Sequence, residues 1–415
     1  MATVNPFRGL RPNPTLVTQV VSPPYDVLDS DEARELAAEN SNSFLHVIKP
    51  EIDLPQETDP YSDAVYQKGA ENLQKLRNEH ILLQEEEPCY YLYQQVMGDH
   101  VQTGFVGCAS VDEYIKGKIK KHEHTRPEKV NDRVKLMSAL NAQTGPVFLA
   151  YRQTDDMAAL VDTLLQKCLQ VYEFTSFYNV RHIFYKVDAD SLNQRVRTAF
   201  ANLPALYIAD GHHRSEGASV FCQNRRKEQP NYKGSEEFNF FLTAIFPHDD
   251  LYIFPYNRVV KDLNGLTSEQ FLENISASFS IEKIGATFQG VKSAKTYGMY
   301  LDNSWYLLSA KSTIYDKNDA VERLDVAILQ NNLLGPILDI DDPRTNKRID
   351  FIGGIKGDAE LKRLVDSGRY SVAFSLYPTS MEEVMAVADA GKVMPPKSTW
   401  FEPKLLSGLV THLLD

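Results

Sequence analysis

The chain has 415 residues and only four cysteines, Cys89, Cys108, Cys168 and Cys222, which stand far apart without a CxxC pair. That usage excludes a disulfide framework and a cysteine-built zinc site, and it fits reduced, mostly buried thiols. No apolar run approaches the ~18 residues a membrane helix needs. The opening Met1 to Arg8 lacks the apolar core of a secretory signal, so a cytoplasmic location is expected. Positive charge is in deficit: 44 basic against 56 acidic residues give a net charge of −12, which disfavours nonspecific attraction to nucleic acid. The basic runs Lys116 to Lys121 and Arg225 to Lys227 are short, and the second reads as a solvated face. Low-complexity linkers and fixed-period repeats are absent too, as are GxxxxGK[ST], the kinase glycine loop and HExxH.

What is present is an alternation of helical and strand patterns over a length that exceeds one typical core, with 43% hydrophobic and 24% charged residues. The pattern predicts an α+β protein of mixed sheets with flanking helices. Three interlocked segments are drawn: an N-terminal α+β lobe over 1–152, a segment over 153–265 and a C-terminal α+β lobe over 266–415. Asp29 or Ser30 should cap a helix reaching about Ala38, and Phe44 to Ile48 reads as a strand. Asp59 to His80 should be a long helix. Cys89 to Tyr93 and Thr103 to Cys108 should form a hairpin across Met97-Gly98-Asp99-His100. Further helices are expected over 157–169, 192–200, 268–278, 320–334, 358–366, 381–389 and 403–414. Strands are expected at 147–151, 181–187, 238–246, 252–260, 297–301, 305–308 and 370–377.

The densest chemistry lies in Leu206 to Arg214, where an apolar strand-like run passes through Asp210-Gly211 into His212, His213 and Arg214. Ala218, Phe221 and Cys222 follow at helical spacing, which places the polar cluster on a strand-to-helix turn. Such a turn aims backbone N–H groups and the positive end of a helix at a ligand, typically a phosphate. The alternative is a histidine cap of the helix. A second polar segment runs through Lys120, Lys121, His122, Glu123 and His124 toward a helix carrying Asp132, Arg133 and Lys135. Arg8, and Tyr25 with Asp26 on the stiff Pro23-Pro24 backbone, are candidate substrate contacts, as are Asn257 and Arg258 after an aromatic strand. Lys397 and Ser398, following Pro395-Pro396, have a phosphate-binding composition.

Three readings of these residues compete. Metal binding would use His122 and His124 with Glu123 or the two histidines of the turn, but the spacing matches no established metal motif, so no tightly held metal is expected. Phosphoryl transfer needs cations and N–H donors around phosphate and a base for the acceptor hydroxyl. For that chemistry His212, Gly211, Arg214, Lys121, His122, Arg133, Lys397 and Ser398 would bind the nucleotide and its phosphates, and Asp210, Glu123 and His213 would be catalytic. The third reading is DNA or CTP binding in a regulatory protein, which draws on family resemblance more than on composition.

The segments Phe7 to Pro12, Ser22 to Val27, His122 to Thr125, Ala209 to Arg214 and Met394 to Thr399, in that order, resemble a bacterial and archaeal family of uncharacterised proteins, domain of unknown function ten-fifteen. The Asp-Gly-His-His-Arg element is also similar to that of the archaeal free serine kinase, a branch of the ParB/sulfiredoxin superfamily. This likeness implies a ParB/sulfiredoxin-like core in the 153–265 segment. It implies ATP or ADP as cofactor with Mg²⁺, and phosphate transfer between the nucleotide and serine or phosphoserine. A phosphoserine hydrolase and a ParB-like regulator are the alternatives. The sulfiredoxin reaction needs a cysteine beside the glycine, where this chain has His212. The ParB role is disfavoured by the acidic charge and the lack of a clear helix-turn-helix. The implied partners are a small-molecule substrate and a nucleotide, with no membrane or nucleic acid; a homo-oligomer is left open.

Overall fold

The computed structural model describes residues 2–415. They form a mixed α+β fold gathered into two units. The first comprises the chain through Leu251 together with Pro403–Asp415, and the second is Tyr252–Glu402. This division is discontinuous in sequence, whereas the sequence pattern suggested three consecutive segments.

The first unit is built on a nine-stranded sheet. Its strands are β1 (Val4–Asn5), β2 (Tyr90–Met97), β3 (His100–Ser110), β4 (Ile119–Lys120), β5 (Val147–Tyr151), β6 (Leu169–Thr175), β7 (Arg181–Val187), β8 (Leu206–Asp210) and β9 (Phe240–Pro247). They run in the order β4-β8-β5-β9-β3-β2-β7-β6, with β1 paired to β3. The β8–β4 and β5–β9 pairs are parallel and the others antiparallel, so the sheet is mixed. The β2–β3 hairpin turns at Met97 to His100, with Gly98 in the left-handed region, as the Gly-Asp composition predicts.

Three helices matter for the site: α1 (Asp63–Asn78), α2 (Pro127–Leu140) and α3 (His212–Glu228). Pro127 opens α2 where its missing N–H costs nothing, and Asn141 closes it in the left-handed region. The buried side of α3, with Ala218, Phe221 and Cys222, joins Leu149, Phe200 and Ile208 in the main core. A second core beneath α1 contains Phe44, Leu45, Tyr66, Leu73, Leu76, Leu136 and Leu140.

Two expectations fail here for physical reasons. Phe44 to Ile48 is not a strand, because Leu45–Ile48 forms a helical turn with Val47 and Ile48 N–H groups bonded to the Phe44 carbonyl. A short, largely apolar run cannot distinguish a buried strand from a buried helical turn. The 403–414 segment is not a helix. It runs extended and buried through the first unit, bridging Ser407 to Ser22 and Thr411 to Leu10, and pairs His412–Leu413 with Ala142–Gln143. Tertiary pairing overrides the local helical pattern.

The second unit holds a six-stranded antiparallel sheet in the order Phe279–Gly285, Ser304–Ala310, Thr296–Leu301, Val372–Leu376, Tyr256–Val260, Ile349–Gly353. The helix Gly357–Asp366 covers a cluster of Val259, Tyr300, Trp305, Leu361 and Leu364. The helix expected over 320–334 is shorter, Asp325–Leu329, and continues as a π-turn through Leu334. Among the described residues no helix is long and apolar enough to cross a membrane.

Candidate functional site

β8 is apolar from Leu206 to Ala209 and buried along that length, so its last residue, Asp210, is delivered to a fixed point. Gly211 then turns the chain at φ 97°, ψ 30°, and α3 begins at His212. Glycine is required on two counts. The backbone is left-handed, and a Cβ here would lie 2.9 Å from Arg214 Nε. No side chain caps α3, so the N–H groups of its first turn remain available to an anion together with the positive end of the helix.

The imidazoles of His122 and His212 are both buried and meet edge to face at 4.5 Å between ring centres. The His122 backbone N–H donates to His212 Nε2 (3.4 Å), which assigns the His212 proton to Nδ1, 3.5 Å from Glu123 Oε2. Burial pushes both rings toward the neutral form, His122 to about 4 and His212 well below its ordinary value, with His122 adding to the effect on His212. His213 is half-buried and accepts from the Arg126 backbone N–H (3.1 Å). Burial, then the Arg126 charge, lowers it as well.

Charge is concentrated on the other side of the turn. Lys404 Nζ lies 3.0 Å from Asp210 Oδ2, and Arg214 Nη2 lies 3.9 Å from Oδ1. Burial alone would raise the Asp210 carboxyl, but Lys404 and Arg214 overcome it and hold the group below the ordinary carboxylate range. Arg214 Nη1 donates to the Pro146 carbonyl, while its Nε is buried with no partner. The Arg133 guanidinium stacks 3.8 Å above the Tyr25 ring and donates through Nε (3.1 Å) and Nη2 (2.6 Å) to Asp132 Oδ2. Asp132 also accepts from the Tyr66 hydroxyl (3.0 Å). Burial, opposed by Arg133, pushes the Tyr25 phenol up to about 12. Asp26, exposed beside it, acts electrostatically on Tyr25 and His213. Lys121 lies over the Tyr114 ring (4.5 Å) and 3.4 Å from Glu216 on α3.

The first unit thus brings Tyr25, Asp26, Lys121, His122, Glu123 and Arg133 around the Asp210–Arg214 turn. Arg8 is elsewhere engaged, donating to the Glu85 carbonyl (3.1 Å) beside the Arg11–Glu85–Lys186 ion pairs. Asn257, Arg258, Lys397 and Ser398 belong to the second unit and form a cluster of their own. There Arg258 donates to the Lys397 carbonyl (3.0 Å) and to that of Tyr256, Asn257 accepts from the Leu376 N–H (3.0 Å), and the Ser398 hydroxyl donates to the Pro395 carbonyl (2.5 Å). Burial pulls Arg258 down to about 9. Sequence reasoning missed Lys404 and Glu216. Glu216 could have been found as the i+4 neighbour of His212 on the predicted helix, whereas Lys404 lies 194 positions from Asp210 and carries no local signal. Among the described residues no group of three or more His, Cys, Asp or Glu side chains is disposed to hold a metal ion.

Comparison with known proteins gives one family. The family described as "Protein of unknown function (DUF1015)" matches residues 4–327. No match is found among curated proteins. Among solved structures, a conserved hypothetical protein from Pyrococcus furiosus is 14% identical with a TM-score of 0.34, covering 71% of this chain and 90% of its own. Free serine kinase in complex with AMP is 14% identical at 0.35, covering 70% and 85%. SbnI with a C-terminal truncation, from Staphylococcus aureus, is 11% identical at 0.38, covering 73% and 85%.

Proposed function

The chain belongs to the DUF1015 family, a family of unknown function, and we propose that this member is a phosphotransferase moving phosphate between ATP or ADP and a small hydroxyl metabolite, serine or phosphoserine. The observation that carries the reading is the uncapped N-terminus of α3, opened by left-handed Gly211 and flanked by the Arg214 guanidinium. Backbone N–H groups and a fixed cation at one point are what phosphoryl transfer asks of a protein, since most of its catalysis is positioning and charge stabilisation. The motif resemblance supports treating β8, the turn and α3 as a ParB/sulfiredoxin-like core within this unit.

In this reading the transferring phosphate lies against the N–H groups of α3, with Arg214 and Lys121 supplying positive charge. The acceptor hydroxyl oxygen attacks phosphorus, the bond to the nucleotide leaving group breaks, and Glu123 takes the hydroxyl proton. Glu123 suits that task better than Asp210, because Lys404 and Arg214 make Asp210 a weak base. Asp210 instead fixes the two cations. The buried, neutral His212, held in place by the His122 backbone N–H, orients Glu123 without adding a mobile charge, and His213 borders the phosphate. Mg²⁺ would neutralise nucleotide phosphate charge and would be held mainly by the phosphate oxygens, with Asp210 the carboxylate that this step leaves to contact it. Arg8, Asn257, Arg258, Lys397 and Ser398 have no role assigned in this step.

The test is incubation with serine plus ATP or ADP, and with phosphoserine plus and minus ADP. Transfer that Asp210→Asn and Arg214→Ala each reduce by roughly a hundredfold or more supports the reading. Turnover unchanged in both variants refutes it. Phosphate release without nucleotide would mark a hydrolase, and nucleotide binding without turnover a regulator.

A further inference from the structure

Beside the turn the first unit contains a cavity of about 40 Å³ whose lining includes Tyr25, Arg133, Thr144, Gly145, Arg214 and Ser407. Two guanidiniums face this space, and no carboxylate is among its lining residues. The remaining walls are largely apolar, with Leu136, Met137, Val147 and Phe241. One of the two cations is incompletely satisfied, since Arg214 Nε is buried and has no hydrogen-bond partner. The other is preorganised: Arg133 is clamped between the Tyr25 ring and Asp132, so its orientation is fixed before any ligand arrives. Hydroxyls of Thr144 and Ser407 and the Gln143 amide complete the polar part of the lining.

Size then restricts the guest. A compact anionic group suits a space this narrow, and a carboxylate is complementary to guanidinium donors. Arg214 belongs both to this cavity and to the turn, so a short acid anchored here keeps the rest of its body at the N-terminus of α3.

We propose that this cavity is the carboxylate subsite for the acceptor, a small hydroxy acid or hydroxy amino acid, separate from the phosphate-binding face of the turn. The proposal rests on the phosphotransfer reading for the acceptor's role, but the subsite itself is testable without turnover. Gly145 supplies the variant. A Cβ there would meet Arg214 Nη1 at 3.7 Å and Ser407 Oγ at 3.8 Å, ordinary contact distances, so Gly145→Ala inserts a methyl into the space without a clash.

The experiment is calorimetric titration of the full chain with L-serine, L-serinamide, acetate, inorganic phosphate and ADP. Wild type should bind L-serine at least about tenfold more tightly than L-serinamide, which lacks the carboxylate, and acetate should compete with serine where inorganic phosphate does not. Gly145→Ala should lose roughly tenfold or more of the serine affinity and keep its ADP affinity and melting temperature. Should Gly145→Ala fold poorly, Thr144→Val removes a polar group from the same lining and should weaken serine in the same direction. Equal affinity for serine and serinamide, undiminished serine binding in a folded Gly145→Ala protein, or competition by phosphate but not acetate each overturns the subsite. Carboxylate-dependent serine binding without any ADP binding leaves the subsite standing and removes the phosphotransfer reading.

Discussion

Replacing Lys404 by Met isolates the contact that ties the C-terminal segment to the turn. At 3.0 Å the ammonium and the Asp210 carboxylate attract by about 5 kcal/mol at an effective dielectric near 20, before desolvation is counted. Their side chains are 23% and 31% exposed, so the pair is neither a solvated surface bridge nor a fully buried one. Its loss should therefore cost about 1–3 kcal/mol, between the limits for those two cases, with Arg214 at 3.9 Å retaining part of the effect. The sign with pH follows from the lowered Asp210 carboxyl. The unfolded chain binds its proton near pH ~4 and the folded chain only at lower pH, so the stabilisation is complete above ~4 and disappears as pH falls toward the folded value. The difference between wild type and Lys404→Met should be largest at pH 7 and shrink below pH ~4. Hydrogen exchange of the amides from Leu206 to Glu228 in urea reads this unit separately from the other. A double-mutant cycle with Asp210→Asn should give a coupling of about 1–3 kcal/mol. Coupling near zero, or a Lys404→Met deficit that does not change between pH 7 and pH 3, refutes the reasoning.

Other outcomes follow from the same contacts. Gly211→Ala should destabilise the first unit by about 1–3 kcal/mol, through left-handed backbone and the Arg214 contact, and should weaken ADP binding in a titration. Buried neutral His122 and His212 bind protons less readily than in the unfolded chain, so stability should fall as pH drops from ~6.5 toward His122's value of about 4. His122→Gln should flatten that slope by up to ~1.4 kcal/mol per pH unit in denaturant titrations. Truncation after Glu402 removes buried Leu405, Leu406, Leu409, Val410, Leu413 and Leu414. At ~1.5–3 kcal/mol each, that is comparable to the whole ~5–15 kcal/mol net stability of a domain, so limited proteolysis should find the first unit degraded and not merely loosened.

Elements whose information is local were legible in the sequence. The apolar run from Leu206 and the helical spacing of Ala218, Phe221 and Cys222 place β8 and α3 as expected, and the Gly98-Asp99 turn places the β2–β3 hairpin. Site residues held on those elements or directly beside them, such as His122, Glu123 and Arg133, gather at the turn for the same reason. What depends on distant pairing was not legible. The 403–414 segment has helical periodicity, but its hydrogen bonds go to Leu10, Ser22 and Ala142–Gln143, and nothing near Lys404 announces Asp210 as its partner. The insertion of Tyr252–Glu402 between two parts of one unit leaves no compositional mark, because neither crossing point is rich in glycine or serine.

The central claim is phosphate transfer at the Asp210–Arg214 turn, and phosphorus-31 NMR of the full chain with ATP or ADP, Mg²⁺ and serine tests it most directly. The account predicts phosphoserine appearing in step with the shortened nucleotide, and its formation falling by roughly a hundredfold or more in Glu123→Gln and Arg214→Ala. Spectra in which nucleotide and serine persist unchanged, or in which phosphoserine forms at the same rate in both variants, contradict it.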